Sequence, residues 1–106
     1  MKLVFSRAFE DDLLGITDYI SNNLQNPQAS EKLVKDIFNE IDKLKSDPEL
    51  GTSLSSVLPY IIPNEYRRLI VRNYVVIYKI EDDIAIKRVF YGRRDYITLL
   101  SLMDNN

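Results

Sequence analysis

The sequence predicts a single α+β domain, a helix hairpin packed on a small antiparallel sheet, in the order β-α-α-β-β-β-α. Three observations predict it. Two early segments repeat apolar residues at steps of three and four, the spacing of a buried helical stripe. Three later runs, YRRLIV, YVVIYKI and IAIKRVFY, are dense in β-branched and aromatic residues, with short turn signals between them. The length of 106 residues, 45% of them hydrophobic, suits one ordinary core, so the domain is expected to span 1–106.

Taken in order, Lys2 to Phe5 reads as a short strand. Ser6 follows as an N-cap, and Phe9, Leu13, Ile16 and Ile20 form one stripe, with Glu10, Asp11 and Asp12 near the positive end of the helix dipole. Asn22, Asn23 and Asn26 end this helix. Asn26-Pro27 starts the next, the asparagine capping and the proline filling the first helical position. Leu33, Ile37, Ile41 and Leu44 make its stripe, which stops before Pro48 because the residue preceding a proline resists helical backbone. Ser46 to Glu65, with three prolines, Gly51 and four serines, is expected to be a loop. Arg72-Asn73 and Glu81-Asp82-Asp83 are the turns of an antiparallel meander, and Asp82 and Asp83 are read as turn residues. The strand Val75 to Ile80 is apolar on both faces apart from Lys79 and the tyrosine hydroxyls, so it belongs at the centre. Asp95 caps a last helix carrying Ile97, Leu100 and Met103.

Composition excludes several chemistries. Without cysteine there is no disulfide, thiolate nucleophile or soft zinc ligand, and without histidine the usual general base and commonest metal ligand are missing. No glycine pattern cradles a nucleotide phosphate. No cofactor or metal is expected. The start, MKLVFSRAFEDDL, is neither a signal peptide nor a membrane span, and a cytoplasmic protein with no membrane contact is expected.

The net charge of −2 conceals an asymmetry. Residues 1–59 carry six basic and ten acidic side chains, a balance of −4, whereas residues 60–96 carry eight and five, a balance of +3. Six of the seven arginines lie between Arg67 and Arg94. This predicts a basic, target-binding patch of Arg67, Arg68, Arg72, Arg88, Arg93 and Arg94, suited to phosphate or an acidic partner through forked hydrogen bonds. Arginines that merely decorate exposed strand positions are the competing reading. Strict alternation puts Ile84, Ile86, Arg88 and Phe90 on one face of the last strand. Tyr66, Tyr74, Tyr78 and Tyr91 are read as core aromatics with a polar handle. The pairs Asp11/Asp12 and Asp36/Glu40 are read as solvated helix faces.

The segment NYVVIYKIEDDIAIKRVFYGRRDYITLL, with AFEDDLLGITDYI and IDKLKSDPELG before it, resembles the RelE/ParE superfamily of type II toxin–antitoxin modules over nearly the whole chain. The resemblance implies the toxin of a plasmid-stabilisation or addiction system, inhibiting growth. It also implies an antitoxin partner whose tail folds on binding, over the helix hairpin and the sheet edge. ParE-like members poison DNA gyrase; RelE-like members cut mRNA on the ribosome. For the nuclease pattern, Arg67, Arg68 and Arg94 stand at matching positions. The arginine that should follow Tyr74 is Val75, and the tail ITLLSLMDNN holds no tyrosine or histidine, which leaves Tyr91 and Tyr96 as substitutes. The departure favours a ParE-like action on gyrase. The alternatives are an mRNA endonuclease using Arg67, Arg68, Arg94 and Tyr91 or Tyr96, and an inactive module that only binds its antitoxin.

Overall fold

The computed structural model describes residues 1–54 and 66–92. Within them run β1 (Leu3–Phe5), α1 (Arg7–Asp18), α2 (Pro27–Asp42), β2 (Thr52–Ser53), β3 (Tyr66–Val71), β4 (Tyr74–Ile80) and β5 (Ile84–Tyr91). The α+β architecture is as predicted, with one addition. The segment read wholly as loop contributes β2, which pairs antiparallel with β3. The expected last helix, with Ile97, Leu100 and Met103, lies outside the described residues.

The strands form one sheet in the order β1-β5-β4-β3-β2. The meander β3-β4-β5 puts β4 at the centre, where its two apolar faces require it to be. β1 joins the edge parallel to β5, pairing Leu3 with Ile84 and Phe5 with Ile86. The hairpin between β3 and β4 turns at Arg72, whose φ of 56° is left-handed.

Caps set the helices. Ser6 Oγ accepts from the Phe9 amide at 3.0 Å and donates to the Lys87 carbonyl at 2.7 Å, so one hydroxyl both starts α1 and ties it to β5. The asparagines do not end that helix at once. Its last turn widens into a π-helical turn over Tyr19–Asn23, closed by the Leu24 amide on the Tyr19 carbonyl. Gln25 then takes a left-handed φ of 51°, and Asn26 caps α2 by accepting from the Ala29 amide at 3.1 Å. The predicted stripes pack inward. Phe9, Leu33, Ile37, Ile41 and Leu44 meet Leu69, Val71, Val76, Tyr78, Ile84, Ile86 and Val89, each such burial giving roughly 1.5–3 kcal/mol.

Strict alternation fails in β5. Tyr78 pairs with Ile86 but Ile77 pairs with Arg88, which leaves Lys87 as the extra residue of a bulge. Beyond the bulge, Val89 and Tyr91 join Ile84 and Ile86 on the helix-facing side, and Arg88 and Phe90 move to the other. That second face is covered as well, since Val75, Ile77 and Phe90 are buried. Among the described residues no helix is long and apolar enough to cross a membrane.

Candidate functional site

The arginines predicted to face a target stand on different elements, and the fold engages several of them. Arg67 lies on the helix-facing side of β3. Because β2 pairs with β3, the chain just before β2 runs beside it. The Arg67 guanidinium donates to the Gly51 carbonyl through Nε at 3.0 Å and Nη2 at 2.7 Å, and to the Glu49 carbonyl at 3.1 Å. The same segment is gripped from β4. The Tyr78 hydroxyl donates to the Pro48 carbonyl at 2.7 Å and accepts from the Gly51 amide at 2.9 Å. Only glycine fits at position 51, because a Cβ there would sit 2.4 Å from the Arg68 carbonyl oxygen and 2.8 Å from the Tyr78 ring and hydroxyl.

Arg68 points to the opposite face of β3 from Arg67 and is half-buried. Arg72, in the β3-β4 hairpin, pairs with Asp36 of α2 at the surface. Arg88, on the far side of β4, makes a forked bond to Asp12 of α1, Nε to Oδ2 at 2.7 Å and Nη2 to Oδ1 at 2.8 Å. Asp12 Oδ2 also accepts from the Val89 amide at 3.1 Å, and both side chains are mostly buried, 23% and 16% exposed. The hydrogen bond to Asp12 is the main reason the Arg88 guanidinium holds its proton more tightly than usual, against an opposing effect of burial. Arg93, Arg94 and Tyr96 lie outside the described residues.

Two carboxylate pairs are therefore not simple solvated faces. Asp12 reaches across to a strand arginine and Asp36 to the arginine of the β3-β4 hairpin, while Asp11 and Glu40 pair only within their own helical segments. A signal for this was present in the spacing. Asp12 stands three residues after Phe9 and four before Ile16, and Asp36 three after Leu33, so both border the buried stripes and point toward the sheet.

The tyrosines divide similarly. Tyr78 is wholly buried with both hydrogen bonds of its hydroxyl satisfied. Tyr66 is half-buried beneath the Lys79 ammonium, 5.4 Å from the ring centroid. Tyr91 departs from the core reading. It is 68% exposed and stands edge-on to Tyr74, with centroids 5.3 Å apart. Burial raises the pKa of Tyr74, and the neighbouring Tyr91 adds to that; burial also raises that of Tyr78. Neither phenol is prepared to accept a proton at neutral pH.

Comparison with known proteins agrees with this architecture. The profile of the ParE toxin of type II toxin-antitoxin systems, parDE, matches residues 3–96. Eight solved chains match in structure. One, from the chromosomal ParDE toxin–antitoxin system of P. aeruginosa, superposes with a TM-score of 0.71 at 23% identity, covering 88% of this chain and 97% of the other. A search of curated proteins finds no match.

Proposed function

Because the chain belongs to the ParE toxin family of type II toxin–antitoxin systems, we propose that it inhibits growth in the cytoplasm by binding DNA gyrase, and that an antitoxin neutralises it. The observation that carries this reading is Val75. It fills the position where RelE-like nucleases place an arginine, and it is wholly buried between Ile70 and Phe90 on the neighbouring strands. A guanidinium reaching a substrate from there would have to displace core. Cleavage of RNA through its 2′-hydroxyl also needs a proton acceptor and a donor, each contributing typically ~10²-fold or more. Burial favours the protonated form of Tyr74 and Tyr78, so neither of these two phenols is a ready base.

Of the set Arg67, Arg68, Arg72, Arg88, Arg93 and Arg94, the described arginines stand on different faces and several are engaged within the fold, so the proposed gyrase contact centres on Arg93 and Arg94. Arg67, Arg72 and Arg88 also hold the fold together, so their removal mixes folding with binding. Arg93→Ala and Arg94→Ala are therefore the clearer variants. Purified protein added to gyrase and supercoiled plasmid is expected to accumulate linear, cleaved DNA, less so with those variants. No effect on gyrase at concentrations that stop growth overturns the proposal. One observation favours mRNA cleavage instead, namely that Tyr91 projects into solvent at the exit of the sheet. Primer extension on a translated message separates the readings, since ribosomal A-site cuts lost with Arg94→Ala establish the nuclease. Harmless expression without the antitoxin indicates an inactive module.

A further inference from the structure

A cleft of about 670 Å³ opens between the C-terminal half of α1 with its π-helical turn and the adjoining ends of β4 and β5. Its walls include Ile16 and Leu24, the three phenol rings of Tyr19, Tyr74 and Tyr91, and the carboxylate of Asp11. Tyr19, Leu24 and Tyr91 are 55%, 56% and 68% exposed, so large apolar side chains face water on several sides of one concavity. Such concentrations mark binding surfaces rather than ordinary exterior. The tyrosines are arranged rather than scattered, since Tyr91 leans edge-on against the partly buried Tyr74, and the chain just past it is pinned by the Gly92 amide on the Asn73 carbonyl at 2.7 Å.

The charge at the cleft narrows what it takes. Of the two carboxylates among its described lining residues, Asp12 is consumed by Arg88 and the Val89 amide. Asp11 is not: it is 65% exposed, and Arg7 approaches it only to 4.0 Å while itself 90% exposed. The surrounding half of the chain repels anions and attracts cations, residues 1–59 carrying ten acidic and six basic side chains. Tyrosine rings, an apolar wall and, among the described residues, one available carboxylate together suit a planar cation on an aliphatic stem.

We propose that this cleft receives an arginine of the antitoxin, presented on an amphipathic segment whose apolar residues cover Ile16 and Leu24. Only the identity of the partner rests on the toxin-family reading; the chemistry of the cleft does not. The test uses the full-length protein with labelled tyrosine rings, titrated with the blocked peptide Ac-Leu-Arg-Leu-Leu-NH2 and with its citrulline counterpart, which keeps the shape and lacks the charge. The resonances of Tyr19, Tyr74 and Tyr91 are expected to shift, with the arginine peptide binding roughly fivefold more tightly. Asp11→Asn should abolish that preference, and Tyr91→Ala should weaken both peptides about tenfold, with melting temperatures unchanged in both variants. Absence of binding, shifts centred elsewhere, equal affinity for the two peptides, or a preference that survives Asp11→Asn each overturns the proposal. The gyrase assay is independent. Poisoned gyrase with no peptide preference fails the cleft alone, and the reverse outcome fails the target alone.

Discussion

Tyr78 and Tyr74 point to the same face of β4, yet the chain treats them differently. Around Tyr78 the polar groups of the crossing segment are matched: its hydroxyl bridges the Pro48 carbonyl and the Gly51 amide, and Arg67 closes over the Gly51 carbonyl. At the other end of the strand Tyr74 borders an open cleft and supports the exposed ring of Tyr91. The contrast separates polar groups that hold the structure from aromatic surface left for another molecule. Residue type does not distinguish the two ends. What does is whether a second stretch of chain, here Glu49–Gly51 leading into β2, lies across the strand.

The sharpest way to break the closed end is Gly51→Ala. The new methyl meets the Arg68 carbonyl oxygen, which is backbone and cannot swing aside. A loss of about 3 kcal/mol is expected, on the order of 15 °C in Tm by calorimetry. A Tm within a few degrees of the parent would mean the Gly51 segment is not locked against the sheet.

Next in size is the pair of adjacent carboxylates at the open end. Asp12→Ala strands a mostly buried guanidinium and an amide, and should cost about 2 kcal/mol in urea denaturation, between the values for exposed and fully buried pairs. Asp11→Ala, one residue away, should cost less than about 0.5 kcal/mol. Equal losses would dissolve the distinction drawn between them.

Tyr78→Phe should cost about 1–2 kcal/mol by leaving the Gly51 amide and Pro48 carbonyl short of a partner, whereas Tyr74→Phe should cost little. The same hydroxyl predicts a pH dependence. Burial raises the folded pKa of Tyr78 above its ordinary 10.0, so between the unfolded and folded values the native state holds a proton that the unfolded chain has lost. That stabilisation is complete below about pH 10 and falls as pH rises beyond it. Denaturation midpoints taken from pH 8 upward should fall less steeply in Tyr78→Phe. The smallest effect belongs to Tyr91→Ala, whose Tm should stay within about 2 °C of the parent because the ring is mostly in water.

Much of the fold was legible from local pattern. Ser6 and Asn26 cap as expected, the stripes Phe9 to Ile20 and Leu33 to Leu44 face the core, and β4 is central. The candidate site was legible only as a list of residue types. Strict alternation places Arg88 on the wrong face because a single bulge residue, Lys87, reverses the pattern beyond it, and nothing in IAIKRVFY marks that position. β2 was missed because two residues carry no period of their own and owe their conformation to β3.

By itself, then, the sequence determined the caps and apolar stripes of α1 and α2 and how the meander β3-β4-β5 runs, since each of those depends on neighbours within a few positions. Tertiary structure alone decided that Arg88 meets Asp12, that Arg67 closes over Gly51 and that Tyr91 is left exposed. Asp12 and Arg88 are 76 positions apart, and contacts at that range are selected by how whole elements pack rather than by any preference written into the residues between them.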